Sequence, residues 1–210
     1  CGACNCVVNT RDENGEVTGH LKGYNTDGKG YWQAVEEEGI DFKGMKMVMI
    51  GIGGAASAIA ATGAIEGIAE MHIFNLKDKF FPHGEELVAK INEQTECKAF
   101  MHDRADKDLL KKLMHESDIF CDATGVGMHP LEDLSSIPDT SFFKPDLIVT
   151  DTVYAPRETV MMKQAKEAGC TKVYNGIGMM LFQALIGIEK FTQKEITPEL
   201  VAYMKEKLGL

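Results

Sequence analysis

The sequence has no surplus of positive charge, which argues against several classes of partner. Its 210 residues include 22 Lys and Arg against 32 Asp and Glu, so the formal net charge is -10 at pH 7. An acidic surface repels the phosphates of nucleic acid and the headgroups of anionic lipid. We therefore predict that neither nucleic acid nor a membrane is a partner.

The sequence also lacks long apolar segments and a recognisable leader. No apolar run approaches the roughly 20 residues that a membrane-spanning helix needs, and the chain does not open with a basic stretch followed by an apolar one. We therefore predict a cytoplasmic protein. The first residue is Cys1 rather than Met and the patterned sequence begins at once, so we interpret the chain as truncated or processed.

The six cysteines lack the arrangement of a structural metal site. Cys1, Cys4 and Cys6 have the spacing of half a site, but no second closely spaced pair of Cys or His follows. A structural zinc ion needs four ligands. We interpret the cysteines as small buried residues in a reducing compartment and predict no metal. A zinc or iron–sulfur site is the alternative.

Strand and helix patterns alternate from about residue 45 onward. Residues 47–50 form a continuous apolar run that ends at Gly51, as expected for a strand buried on both faces. A small, apolar helical stretch over residues 55–68 and a second strand over 71–74 follow, and the alternation continues to residue 174. This order predicts an α/β fold with a doubly wound, Rossmann-like parallel sheet.

The first and last segments differ from this alternation. Val7 and Val8 favour a strand, Asn14-Gly15 indicates a type I′ turn, and residues 17–21 return as a second strand. Thr26 or Asp27 is a plausible N-cap for the helix that follows. We predict three regions. Residues 1–41 are a remnant of an α/β substrate-binding domain with a linking helix, residues 42–178 form a dinucleotide-binding domain, and residues 179–210 are helices returning to the substrate domain.

The glycine-rich stretch from Gly51 to Ala56 follows a buried strand and opens a helix. Its first glycine permits a tight turn, and Gly53 and Gly54 let a pyrophosphate approach the backbone. The free N–H groups and the positive end of the helix dipole then face the phosphates. This context predicts binding of a dinucleotide. An open α/β sheet with a tight turn and no ligand is the alternative.

An acidic residue stands where the choice between NAD and NADP is usually made. Asp78 follows the second strand, where a carboxylate accepts the ribose hydroxyls of NAD and repels the 2′-phosphate of NADP. Lys77 and Lys79 flank it, and either could reach a phosphate. We predict NAD as the cofactor and keep NADP as an alternative. Asp78 as an ordinary solvated loop acid is the other interpretation.

Six segments, spread in order over the whole chain, resemble the signature stretches of the shikimate dehydrogenase family. They are Gly2–Asn5 (GAxN), Gly23–Gly28 (GxNTDG), Gly51–Ala55 (GxGGA), Thr124–Met128 (TxxGM), Val153–Pro156 (VYxP) and Gly176–Gln183 (GxGMxxxQ). The order and number of the matches make the resemblance specific. Asp78, with Phe80 and Phe81 after it, resembles the quinate/shikimate branch most closely.

The resemblance implies a reaction and roles for individual residues. It implies reversible NAD(P)-dependent oxidation of shikimate or quinate to the 3-dehydro acid, in the biosynthesis of aromatic amino acids, at a cleft beside the carboxyl ends of the strands. The implied substrate-binding residues are Asn5, Asp27, Tyr154 and Gln183, and Asp27 is also the acid paired with a catalytic lysine. The implied cofactor-binding residues are Gly53, Gly54, Ala55, Asn75, Lys77, Asp78, Thr152, Val153, Tyr154 and Gly176.

The chain departs from the family pattern in two respects. The segment that carries the catalytic lysine in the family is absent from these 210 residues, and neither Lys22 nor Lys29, which flank the Asp27 motif, matches its position. We therefore expect the chain on its own to be inactive. Asp122 replaces a commoner asparagine or serine.

Other functions are open at this point. A glutamyl-tRNA reductase or a methylene-tetrahydrofolate dehydrogenase would share a two-domain plan, although the NTDG and GMxxxQ stretches argue against both. A non-catalytic dinucleotide-binding module is an alternative from a different class. A homodimer is compatible with the sequence but not indicated by it.

Overall fold

A computed structural model of the protein describes residues 2–210, so Cys1, and the part of the predicted half metal site that rests on it, lie outside the described residues. Eight strands are formed. They are β1 (Cys6–Arg11), β2 (Val17–Tyr24), β3 (Lys46–Ile50), β4 (Glu70–Asn75), β5 (Lys98–Asp103), β6 (Ile119–Asp122), β7 (Ile148–Asp151) and β8 (Val173–Tyr174). Seven α-helices accompany them. They are α1 (Asp27–Glu37), α2 (Gly54–Glu66), α3 (Phe81–Gln94), α4 (Lys107–Glu116), α5 (Val160–Glu167), α6 (Ile177–Thr192) and α7 (Pro198–Leu208).

Six of the strands form one parallel sheet in the order β5-β4-β3-β6-β7-β8. Counted from β3, this is the 3-2-1-4-5-6 order of a doubly wound dinucleotide-binding fold. The chain reverses direction across the sheet at β3, so a crevice opens there, beside the carboxyl ends of β3 and β6. The predicted fold class is confirmed.

Burial on both faces explains the apolar composition of the central strand. Met47, Val48, Met49 and Ile50 of β3 are all fully buried. Met47 and Met49 belong to one core layer, and Val48 and Ile50 belong to the layer on the opposite face. Because side chains alternate along a strand, only a continuous apolar run can fill both layers.

Helix α1 packs into the core of the parallel sheet domain. Trp32 is fully buried, and its indole Nε1 donates a hydrogen bond to the Ile59 carbonyl at 2.9 Å. A Cβ added at Gly63 of α2 would lie 2.4 Å from the Trp32 ring, so glycine is what makes room for the indole. The division of the chain at residues 41/42 and 178/179 stays a prediction.

Strands β1 and β2 form the predicted antiparallel hairpin, but its turn differs from the prediction. A type I′ turn needs positive φ at both central residues, whereas Gly15 (φ 84°) has positive φ here and Asn14 does not. The Asp12 carboxylate accepts from the N–H groups of Asn14 and Glu16, and the Gly15 N–H donates to the Asp12 carbonyl. The side chain of Asp12 therefore selects a longer loop, and the predicted turn type is wrong.

Helix boundaries differ from expectation where glycines or side-chain caps intervene. The second helix ends at Glu66 rather than residue 68 because Gly67 takes φ 121° at its carboxyl end. Helix α6 begins at Ile177 rather than residue 180, since Asn175 Oδ1 accepts the Ile177 N–H and starts the helix earlier.

Candidate active site

A cavity of about 310 Å³ opens beside the carboxyl ends of the sheet strands, next to the first turns of α1 and α6. Its lining residues are Asn5, Asp27, Thr152, Tyr154, Gly176, Met179, Met180 and Gln183. The four residues predicted to bind substrate thus lie in one cavity, although they come from positions 5 to 183 of the chain. Three predicted cofactor-binding residues line it, namely Thr152, Gly176 and Tyr154, the last of which is also a predicted substrate-binding residue.

Asn5 connects the start of the hairpin to the start of α1. Its side-chain amide donates to Asp27 Oδ1 at 2.8 Å and to Thr26 Oγ1 at 3.0 Å, and its Oδ1 accepts the Thr26 N–H at 2.9 Å. Asn25 Oδ1 accepts the Asp27 N–H at 2.9 Å. These bonds fix the orientation of the Asp27 carboxylate on the cavity wall.

Thr26 ties this group to α6. It is 2% exposed, and its hydroxyl donates to Gln183 Oε1 at 3.2 Å. The Gln183 amide nitrogen donates to the Met180 carbonyl at 3.1 Å. Asn5, Asp27 and Gln183 are therefore positioned by one continuous hydrogen-bond network. Thr26, one of the two predicted N-cap residues, is the N-cap of α1, but it makes no side-chain cap hydrogen bond and uses its hydroxyl on Gln183 instead.

Burial shifts the acidity of the carboxyl group in this cavity. Partial burial raises the pKa of Asp27 above the ordinary aspartate value, and the hydrogen bond from Asn5 opposes that rise. Burial disfavours the charged form, whereas a donor to the carboxylate favours it. A raised pKa makes Asp27 a better proton acceptor once it is ionised.

The cavity lining includes no lysine. Lys22 instead lies with its ammonium 5.2 Å from the centre of the Tyr24 ring, and Lys29 is close enough to Glu66 of α2 to lower the pKa of that carboxyl. Neither therefore reaches the Asp27 carboxylate in the conformation described.

The glycine turn between β3 and α2 meets the geometric demands of a pyrophosphate site. Gly51 has φ 107°, and a Cβ there would lie 2.7 Å from the Ala123 carbonyl oxygen. Gly53 begins α2 without a side-chain cap, and a Cβ built on it would meet open space. The first-turn N–H groups at Gly54 and Ala55 are thus left for an outside acceptor, as at helix termini that bind phosphate. The turn fits a dinucleotide.

The residues predicted to contact the ribose lie together at the end of β4. Asp78 Oδ1 accepts from the Phe80 N–H at 2.8 Å and from the Asn75 amide at 3.2 Å. Lys77 is exposed and lies 3.8 Å from the Asp103 carboxylate. The Asp78 carboxylate is exposed but held in place, whereas Lys77 is partly neutralised by Asp103.

The end of β7 joins the cofactor side of the site to the cavity. Gly176 approaches β7 so closely that a Cβ would lie 2.1 Å from the Thr152 carbonyl oxygen, and its N–H donates to the Val153 carbonyl at 2.9 Å. Val153 is buried, whereas Tyr154 is 48% exposed on the cavity rim. Only a glycine at position 176 permits this contact, which places α6 against the β7 loop.

Three residues of the site, Asn25, Met179 and Met180, were not singled out from the sequence, and Thr26 was considered only as an N-cap. Asn25 and Thr26 were visible as parts of the Gly23–Gly28 stretch, but the bonds of Asn25 to the Ala3 carbonyl and of Thr26 to Gln183 join positions far apart in sequence. Met179 and Met180 line the cavity and add an apolar wall to an otherwise polar group. Their helical spacing alone is typical of any core helix, so sequence periodicity carried no signal for them.

Among residues 2–210, no group of three or more His, Cys, Asp or Glu is arranged to hold a metal ion. The five cysteines from Cys4 to Cys170 are free thiols. Within the same residues, no helix has the length and apolar character needed to cross a membrane.

Comparison with curated proteins decides the family. A shikimate dehydrogenase (NADP(+)) from Streptococcus uberis is 46% identical over 207 residues, which are 99% of this chain and 68% of that protein. The chain belongs to the shikimate dehydrogenase family. A second member, from Listeria monocytogenes, is 45% identical over 99% of this chain and 67% of its own length. No protein-family model matches the chain.

Solved structures of the family share the fold. Shikimate 5-dehydrogenase from Listeria monocytogenes, in complex with shikimate and NAD, superposes with a TM-score of 0.89 at 45% identity, over 99% of this chain and 68% of that one. Quinate dehydrogenase from Corynebacterium glutamicum, in complex with NAD, gives a TM-score of 0.78 at 28% identity, over 93% and 66%. The chain therefore spans about two thirds of the length of these family members.

Proposed function

We propose that the protein is an oxidoreductase that reversibly oxidises a ring hydroxyl of shikimate to the ketone of 3-dehydroshikimate, with NAD(P) as the hydride acceptor. The observation that carries the proposal is the convergence of Asn5, Asp27, Tyr154 and Gln183 in one cavity beside a dinucleotide-type glycine turn. Family members at 45–46% identity bear the name shikimate dehydrogenase. The Listeria structure contains shikimate and NAD together.

The residues of the cavity suit a small polyhydroxylated acid. Asp27 accepts hydrogen bonds from hydroxyl groups when ionised, whereas the amides of Asn5 and Gln183 both donate and accept. Tyr154 adds a phenol on the rim. Met179 and Met180 offer an apolar surface for the carbon ring. Several directed polar groups around one apolar patch fix the orientation of such a ligand.

Every part of the reaction except the role that the resemblance gives to a catalytic lysine has a group in this chain to serve it. NAD(P), when bound, takes the hydride from the alcohol carbon. The N–H groups of the α2 first turn hold the pyrophosphate, and Thr152, Val153 and Gly176 form the wall between cofactor side and cavity. Asp27, oriented by Asn5, anchors the reacting hydroxyl and accepts its proton or holds the charge of a neighbouring acceptor.

In this proposal, the residues at the end of β4 that would contact the ribose of the cofactor favour NAD over NADP. Asp78 presents a fixed carboxylate at the end of β4, which accepts ribose hydroxyls and repels a 2′-phosphate. Of the two flanking lysines, Lys77 lies 3.8 Å from the Asp103 carboxylate and Lys79 lies over the Phe80 ring. Curated relatives are named for NADP(+), whereas the Listeria and Corynebacterium structures contain NAD.

Quinate is a second candidate substrate. The quinate dehydrogenase structure matches 93% of this chain, and quinate is likewise a small ring acid with several hydroxyl groups. A homodimer, the absence of a nucleic acid partner and a cytoplasmic location remain predictions.

The proposal is tested on a protein that joins the family's lysine-bearing segment to this chain, because the chain on its own is expected to be inactive. NADH or NADPH formation is followed with shikimate and with quinate, each at saturating NAD and NADP. We expect shikimate with NAD to give the highest kcat/KM, and Asp27→Asn to lower it at least tenfold, within the roughly 10²–10⁴-fold range of acid–base catalysis. Direct titration with NADH provides an independent measure of cofactor binding. A wild type that binds no dinucleotide, or equal rates for Asp27→Asn and wild type, would contradict the proposal.

A further inference from the structure

Two buried carboxyl groups lie side by side beneath the candidate active site. Asp122 ends β6 and Asp151 ends β7, and the two residues are direct partners in the parallel ladder. They are 0% and 2% exposed. Phe120 and Val149, two residues earlier on each strand, belong to the same core layer, so both carboxyl groups point to that face of the sheet.

Three of the four carboxyl oxygens are satisfied by donors from the site loops. Asp151 Oδ1 accepts the Val153 N–H at 2.8 Å, and its Oδ2 accepts the Thr159 hydroxyl at 2.7 Å. Asp122 Oδ1 accepts the N–H and the hydroxyl of Thr124 at 2.9 and 2.7 Å. The pair therefore anchors both the loop that follows β6 and the loop that follows β7.

The fourth oxygen is different. Asp122 Oδ2 is buried and has no hydrogen-bond partner within the described part of the chain. An ionised oxygen in that position would be without a donor, which costs more than burying a neutral group. Ser136 Oγ, close enough to lower the pKa of Asp122, is also buried and outside hydrogen-bond geometry. A proton on Asp122 Oδ2 would have a nearby acceptor.

The surrounding charges do not neutralise two carboxylates. Arg104, between β5 and α4, lowers the pKa of Asp122 but donates to the Ser136 carbonyl at 2.9 Å and forms no ion pair with either acid. Burial raises the pKa of Cys121 to about 12 and raises that of Tyr31 well above its usual value. Both therefore stay neutral at physiological pH. Arg104 is thus the one cation acting on the pair among residues 2–210.

We propose that Asp122 and Asp151 share one proton, and that this proton makes them positioning residues that hold the β6 and β7 loops together under the cofactor. The inference of a shared proton is based on the geometry of the pair, whereas the inferred effect on cofactor binding rests on the proposed function. When the proton leaves for solvent, two like charges on adjacent strands repel each other. The ends of β6 and β7 then move apart, and with them Thr124 and Val153.

The acidities of the pair agree with this arrangement. Burial and the charge of Asp122 raise the pKa of Asp151 to about 7, and burial raises that of Asp122. Both acids bind protons more tightly in the folded than in the unfolded chain. The contribution of Asp151 to folding is thus fully present below the unfolded value of about 4 and is lost as pH rises through about 7. This proton is therefore lost over the same pH range in which we expect cofactor binding to weaken.

Infrared spectroscopy tests the proton itself. We expect the wild-type protein at about pH 6 to show the carbonyl band of a buried protonated carboxylic acid, and this band to vanish by about pH 9. In Asp122→Asn the band should vanish at a lower pH than in the wild type, because Asp151 stays buried but loses its charged neighbour. Asp146→Asn, which removes an exposed acid, should follow the wild type. Absence of the band in the wild type would overturn the proposal, even if the Asp122 variant does not fold.

NADH titration tests the positioning role. The amide of Asp122→Asn imitates the protonated acid, so we expect its NADH affinity to be flat with pH, whereas the wild type should weaken about tenfold between about pH 6 and pH 9. Asp146→Asn should follow the wild type. The same pH dependence in wild type and Asp122→Asn would overturn the role in positioning. A wild type that binds no NADH at any pH would instead contradict the proposed function, and with it the effect of the pair on cofactor binding. The shared proton would then still be tested by the infrared band.

Discussion

Gly30 of α1 lies against Gln183 of α6, so close that a Cβ on Gly30 would be 2.5 Å from the Gln183 backbone nitrogen. This contact fixes the crossing of the two helices at the cavity. Asp27 lies one turn before Gly30, and the Gln183 side chain is bonded to Thr26. A single close backbone contact therefore sets the separation of two proposed substrate-binding residues.

Replacement of Gly30 should disturb both stability and substrate binding. We expect Gly30→Ala to destabilise the fold by about 1–3 kcal/mol, as overpacking does, and to raise the KM for shikimate more than the Kd for NADH. Gly187→Ala is the matched control on α6, because its Cβ would meet only Phe191 at 4.0 Å. Thermal unfolding measures the stability of both variants, and steady-state kinetics measures their KM for shikimate. If Gly30→Ala has the same stability and the same KM as the control, the contact does not position the site residues.

Sequence patterns predicted the parallel sheet well because its signals are local. The apolar run of β3 and the glycines at 51 and 53 report burial and turn geometry within a few residues. The hairpin turn was wrong because the Asp12 side chain, rather than the Asn14-Gly15 pair, decides the loop.

The network of the cavity was less accessible from sequence. The resemblance supplied Asn5, Asp27, Tyr154 and Gln183, but composition alone would have left Asn5 and Gln183 as ordinary polar residues. The bond from Thr26 to Gln183 joins positions 157 residues apart, so no local pattern encodes it. The unpartnered oxygen of Asp122 depends on the packing of β5, β6 and the loop near Ser136, which spacing does not reveal.

The glycine turn offers a charge-specific test of the pyrophosphate site. Gly54→Asp would place a carboxylate where the phosphates approach the first turn of α2, so we expect NADH affinity to fall at least about tenfold at low salt. Gly54→Asn is the matched control, because it has nearly the same size without the charge; a Cβ at this position lies 3.3 Å from that of Ala3 in either variant. Fluorescence titration with NADH measures both. Equal loss in the two variants would mean that size rather than charge is responsible.

Cofactor preference should depend on Asp78. A hydrogen bond to a charged group contributes about 1.5–3 kcal/mol, which corresponds to roughly tenfold or more in affinity. We therefore expect NAD to be preferred, and Asp78→Ala to narrow or reverse the preference by about tenfold. Asp133→Ala, at another exposed acid, is the control and should leave the preference unchanged. A wild type that prefers NADP would show that Lys77 or Lys79 dominates the ribose pocket.

The acid side of the pH–rate profile should report Asp27 and its bond to Asn5. Because burial raises the pKa of Asp27 and the ionised form is the acceptor, log kcat/KM of the protein that carries the lysine segment should fall as pH drops through a value above the ordinary aspartate pKa. Asn5→Ala removes the hydrogen bond that lowers this pKa, so we expect the acid limb to move to higher pH and the rate on the plateau to fall about tenfold.

Asn9→Ala is the control. It removes an asparagine of the hairpin whose side chain accepts the Gly19 N–H, and its profile should match the wild type. An acid limb that stays in place in Asn5→Ala, or that persists in Asp27→Asn, would assign the titration to another group.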